Sequence, residues 1–164
     1  MAVTTDIVAS YTSPAKVMRR LLALGQREDR ALAFLMAACV IFFVARWPAL
    51  AREAHLAQEP LNPMLGGALL AWIFAAPLLF YVIAFCVHWV LRAFGGQGTP
   101  FGTRLALFWT LLATTPLVLL NGLVAGFIGP GLQLQIVGLV WVAAFLLILT
   151  GGLRAAHARE KDNV

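Results

Sequence analysis

Long apolar runs separated by short polar turns organise this chain. From residue 104 to 129 the sequence RLALFWTLLATTPLVLLNGLVAGFIG holds no ionisable residue after Arg104. At helical rise such a run outreaches a hydrocarbon layer of about 30 Å, which predicts a membrane-spanning helix over about 104–128. Three further runs read the same way, over about 31–50, 65–91 and 132–150.

Local signals set the expected ends of these spans. In the first, Arg46 snorkels at the outer end beside an interfacial Trp47, and Pro48 disfavours a helical Trp47, so the span is expected to close near Leu50. Residues 51–63, AREAHLAQEPLNP, read as an exposed loop. In the second span Gly67, Ala71 and Ala75 offer a smooth face for close helix contact. Pro77 lies near its middle and Pro116 near the middle of the third, so both spans carry a kink point whose freed carbonyls need neighbours or hydroxyls. The turn AFGGQGTPFGT is short enough to make spans two and three antiparallel neighbours. Gly151-Gly152 marks the expected end of the fourth.

Ahead of the first run, residues 1–12 show no sustained period and read as a mobile or surface-lying tail. Residues 13–30 are sharper. Ser13 suits an N-cap, Pro14 the first helical position and Gly25 a terminator. Val17, Leu21 and Leu24 share one face, with Lys16, Arg19 and Arg20 on a basic side. The pattern predicts an amphipathic helix in the interface of an anionic leaflet, with Lys16, Arg19 and Arg20 as headgroup contacts. The expected fold is therefore all-α: an integral membrane helical bundle of four transmembrane helices plus an N-terminal amphipathic interfacial helix. Its transmembrane domain covers residues 31–152, and 153–164 form a basic cytoplasmic tail.

Composition agrees. With 62% hydrophobic and 12% charged residues and a mean hydropathy of +0.88, the chain lies outside the range of soluble domains. The net charge of +5 does not point to nucleic acid, because the basic residues flank the apolar runs. One set of span ends holds Lys16, Arg19, Arg20, Arg27, Arg30, Arg92, Arg104, Arg154, Arg159 and Lys161; the other holds Arg46 and Arg52. That bias predicts both termini in the cytoplasm of a cell inner membrane. The first 30 residues lack the apolar region of a cleavable signal peptide, so the first span is expected to persist. Cys39 and Cys86 read as small buried hydrophobes in different spans.

The residues offer little catalytic chemistry. There is no HExxH, no GxSxG and no aspartate pair within the spans, and His55, His88 and His157 fall in separate regions. No catalytic, cofactor or metal residue is expected. The polar and helix-bending residues of span three, Thr110, Thr114, Pro116 and Asn121, are followed by Gly122-xxx-Gly126. They read as interhelical hydrogen bonding and close packing, with a polar transport track as the alternative.

The stretch GGQGTPFGTRLALFWTLLATTP resembles the core of the Yip1 family of multipass membrane proteins, in its bacterial branch. The shared features are the Gly95-Gly96-x-Gly98-Thr99 turn, Phe101, Arg104-Leu105-Ala106-Leu107 and a mid-span Pro116. REDRALAFLMAACVIFFVARWPAL also resembles the first span of short members. The resemblance implies a helical membrane-domain protein without a recognised catalytic activity, and no binding residue carries over from it. The expected function is a non-enzymatic membrane-organising or interaction module, in contact with anionic lipid and a membrane-protein partner or second copy. A small transporter or channel component, or an accessory subunit of a larger complex, are the alternatives.

Overall fold

Two short helices fold back on each other ahead of three long apolar helices and one broken helix. The structure, a computed structural model, describes residues 3–96 and 98–158; among them there is no strand. Helices α1 (Val3–Thr12) and α2 (Pro14–Ala23) precede α3 (Glu28–Ala57). A continuous helical unit follows, made of α4 (Leu61–Leu70), a π-helical turn (Ala71–Ala75) and α5 (Ala76–Ala93). The broken helix comprises α6 (Pro100–Ala113) and α7 (Thr115–Phe127), bent by 44°. Helix α8 (Leu132–Ala158) completes the fold. The α3, α4–α5 and α8 helices are each long and apolar enough to cross a membrane, and the bent pair passes the same test as a unit.

Helix α6 is the core. Every residue from Leu105 to Ala113 is buried, because α3, α5, α8 and α1 all pack on it. Thr99 caps its start by accepting the Gly102 N–H at 3.1 Å, and Pro100 fits the first turn, whose N–H groups have no intrahelical partner. Edge-to-face rings fix its neighbours: Phe34 of α3 on Trp109, and Tyr81 of α5 on Phe108. An ion pair between Arg104 and Glu28 ties it to the first turn of α3. The outward faces carry Leu78, Val82 and Phe85 on α5 and Leu139, Leu146 and Leu147 on α8, all exposed and apolar, as lipid contact requires.

Several elements depart from the sequence reading. Helix α3 runs through Pro48 to Ala57, so residues 51–57 are helical where a loop was expected. At the proline α7 packs closely on the helix: a Cβ on Gly126 would lie 2.7 Å from the Pro48 carbonyl carbon. Gln58, in the left-handed region at φ 55°, then ends it. The expected kink at Pro77 takes the form of the π-helical turn just before it. There the Ala76 N–H bonds the Ala71 carbonyl, five residues back, so the ladder is already widened where the proline lacks its N–H. Helix α8 continues through Gly151-Gly152, because these glycines are contact points for α2. A Cβ on Gly151 would meet Pro14 Cγ at 2.6 Å, and one on Gly152 would meet Met18 Cε at 3.4 Å. Of the predicted tail, residues 153–158 belong to α8; Arg159 to Val164, like Gln97, lie outside the described residues.

The N-terminal region differs most. Residues 3–12, expected within a mobile or surface-lying tail, form α1, which packs on α6, α8 and α2. Asp6 and Arg20 lie on either side of Ser13 and form an ion pair, so α1 and α2 make a hairpin with its tip at Ser13. The apolar face of α2, Val17, Met18 and Leu21, is buried against protein, chiefly α8, rather than opening toward acyl chains. Ser13 takes the N-cap position as predicted, but its hydroxyl makes no capping bond; Gly25, at φ 90°, follows the C-cap.

Candidate functional site

The break in the third apolar segment is where backbone chemistry is least settled by the helix itself. Pro116 has no N–H to offer the Leu112 carbonyl, which keeps only a backbone N–H from the cap of α6. The Leu117 N–H bonds the Thr114 carbonyl at 3.1 Å instead of continuing the ladder, which frees Ala113. Inside a bilayer no water replaces those partners. The side chains of Thr115 and Tyr11 do. Thr115 Oγ1 donates to the Leu112 carbonyl at 2.7 Å, and the Tyr11 hydroxyl donates to the Ala113 carbonyl at 2.9 Å. Burial pushes the Tyr11 phenol up from its ordinary value, so it stays a donor at neutral pH.

The hairpin reaches this depth with its own polar groups closed. From Arg104 to Ala113 is about 14 Å along α6 at 1.5 Å per residue, and the hairpin runs beside that length. The Trp109 indole N–H donates to Ser10 Oγ at 2.9 Å, and Ser10 Oγ donates to the Asp6 carbonyl at 2.7 Å. The Asp6 carboxylate in turn accepts from Arg20. The buried centre of α6 is thus tied through the Ser10 side chain to the Asp6 backbone, and the Asp6 side chain to Arg20 on the hairpin's outer face.

The residues singled out from sequence divide into two groups. Thr110 and Thr114 are fully buried and spend their hydroxyls within their own helix: Thr110 on the Ala106 carbonyl at 2.7 Å, Thr114 shared between Thr110 at 3.0 Å and Leu111 at 3.1 Å. They form no continuous track with Asn121, which sits on α7 facing α8. Gly122 and Gly126 mark the closest approach of α7 to α3, where a Cβ on Gly122 would stand 2.7 Å from the Ala45 carbonyl carbon. Pro116 is exposed at the bend, and Pro77 is buried after the π-helical turn. Lys16 and Arg19 are exposed on α2, while Arg20 is shared with Asp6. The Gly67, Ala71, Ala75 series is exposed and nothing lies within 4 Å of a Cβ on Gly67, so no helix of this chain uses that face.

Sequence reasoning missed the hairpin contacts Ser10, Tyr11 and Asp6, and also Arg52. Its guanidinium reaches the Gly126 and Phe127 carbonyls at 3.4 and 3.5 Å, satisfying the C-terminal end of α7. His88 is buried with Nδ1 3.4 Å from Thr103 Oγ1. His157 lies over the glycine turn, 2.7 Å from where a Cβ on Gly98 would stand.

A family model described as the Yip1 domain matches residues 8–163, so the match takes in part of α1 and every helix after it through α8. Comparison with curated proteins and with solved structures gives no match.

Proposed function

Because the chain belongs to the Yip1 domain family and is a multipass membrane protein, we propose that it works as a non-enzymatic membrane-organising or interaction module. In this reading four spans cross a cell inner membrane, with α6 and α7 together as the third and both termini in the cytoplasm. The observation that carries it is the use of the intramembrane hydroxyls. Thr110, Thr114 and Thr115 are buried and committed to carbonyls of their own helix, which supports a structural role over a path for solutes. Lys16 and Arg19 on the outer side of α2 supply the basic surface for anionic headgroups. The partner is another membrane protein or a second copy, met through the exposed helical faces.

Mild-detergent purification after crosslinking in membranes tests this. The expected result is a complex, either of the chain with itself or with another membrane protein, together with tags on both ends reporting the same compartment. A lone monomer, or saturable ion or solute flux in proteoliposomes that is lost in Thr110→Val without loss of fold, would overturn the module in favour of a transporter.

A further inference from the structure

The opening hairpin encloses a cleft of its own. Between α1 and α2, beside the tip, lies a space of ≈ 380 Å³ lined by Ala9, Thr12, Ser13, Lys16, Val17 and Arg20. That is within the usual size of a small-molecule site. Ala9 and Val17 belong to the apolar packing beneath it, while the other four residues bring two hydroxyls and two cations to its wall.

This polar lining is unevenly satisfied. Asp6 pairs with Arg20 and so fixes that guanidinium in place. Thr12 Oγ1 donates to the Ala9 carbonyl at 3.2 Å. Lys16 makes no ion pair and the Ser13 hydroxyl no hydrogen bond among the described residues. Residues 3–23 hold Lys16, Arg19 and Arg20 against Asp6 as the one acid, so the cleft lies in a net positive field.

Packing on α8 sets the level of the cleft. Pro14, next to Ser13, stands against Gly151, where a Cβ would meet Pro14 Cγ at 2.6 Å. Gly151 follows directly on the apolar run that ends at Thr150, and Arg154 comes a turn later. Exposed Leu146 and Leu147 lie about one turn to the other side, in the apolar run itself. In the four-span placement Ser13 and Lys16 therefore sit where hydrocarbon gives way to headgroups.

We propose that the cleft between α1 and α2 binds the phosphate of one anionic phospholipid headgroup, with Lys16 Nζ and the Ser13 hydroxyl donating to its oxygens and Arg20, held by Asp6, adding positive charge. An ammonium can only donate, so the occupant must bring acceptors as well as negative charge, and a phosphate brings both. The level selects a phosphate carried by a lipid, whose acyl chains keep it at that depth. The site deepens the reading of Lys16 as a headgroup contact and rests on it, turning a basic surface into one discrete position.

The test is lipid retention by the full chain in nanodiscs of phosphatidylcholine with rising fractions of phosphatidylglycerol, read by native mass spectrometry. Saturable retention of a single phosphatidylglycerol per chain is expected. Lys16→Gln should weaken it roughly tenfold and Lys16→Arg should keep most of it, because the charge and donors remain. Arg19→Gln removes the same charge from a side chain that does not line the cleft, and should change retention by less than about twofold. Equal losses in Lys16→Gln and Arg19→Gln, or retention that climbs without saturating, overturns the site and leaves a diffuse basic surface. Absence of any preference for phosphatidylglycerol overturns the headgroup surface together with the site. Displacement of the retained lipid by soluble glycerol phosphate overturns the lipid as occupant in favour of a free phosphate.

Discussion

Substituting Gly122 by alanine tests the α3–α7 seam most directly. A Cβ there would stand 2.7 Å from the Ala45 carbonyl carbon and closer still to its oxygen, whereas carbon pairs rest at about 3.5–4.0 Å. The obstacle is backbone, so no rotamer change relieves it, and the two helices must part by about 1 Å. A gap of that size forfeits about a quarter to a half of each dispersion well along the seam, and Gly126 four residues on shares the displacement. Overpacking of this kind costs about 1–3 kcal/mol. Helix propensity works the other way, since alanine is preferred to glycine by about 1 kcal/mol in a helix interior. Gly66→Ala isolates that opposing effect, because nothing lies within 4 Å of a Cβ there. Unfolding in mixed micelles, followed by circular dichroism against rising SDS fraction, should show Gly122→Ala less stable than the parent and Gly66→Ala equal or more stable. If Gly122→Ala matched Gly66→Ala, the close approach of α7 to α3 would be refuted.

Three further outcomes follow from the same contacts. Tyr11→Phe strands the Ala113 carbonyl at the helix break; it should cost about 1–3 kcal/mol and raise amide exchange in α1, and unchanged exchange would count against the capping role. Arg52→Ala removes the donor to the last carbonyls of α7 and should cost about 0.5–1 kcal/mol in the same micelle titration, partly restored in Arg52→Lys. Replacing Lys16 and Arg19 together by glutamine should reduce anionic-lipid retention, measured by native mass spectrometry from mixed-lipid nanodiscs, without shifting the unfolding midpoint, because both side chains are exposed.

The apolar segments were legible because a run of some twenty residues without charge has few other stable settings. The bend in the third was legible too, since Pro116 must cost a carbonyl its partner. What that carbonyl would find was not legible: Tyr11 and Ser10 sit in a segment whose inward face is polar, so no apolar period announces it. Glycine misled at Gly151 and Gly152 because the residue that ends helices also lets helices touch, and only the neighbour, Pro14, decides which. Pro48 misled for the same reason, its surroundings being supplied by α7. Trp141 was not legible as a polar position, because a tryptophan in an apolar run looks like ordinary filling until its N–H is seen unbonded.

Ser10 and Trp109 are 99 residues apart, and Tyr11 and Ala113 are 102. During synthesis at about 5–20 residues per second, the opening segment therefore emerges about 5–20 s before its berth exists. Throughout that interval it has only α2 to pack on, and its α6-facing side must wait in water or against a lipid surface, exposed to proteases and chaperones. Helix α1 is thus among the last elements to settle although it is made before its partners, and a bulky insertion beside it would be felt at the end of assembly.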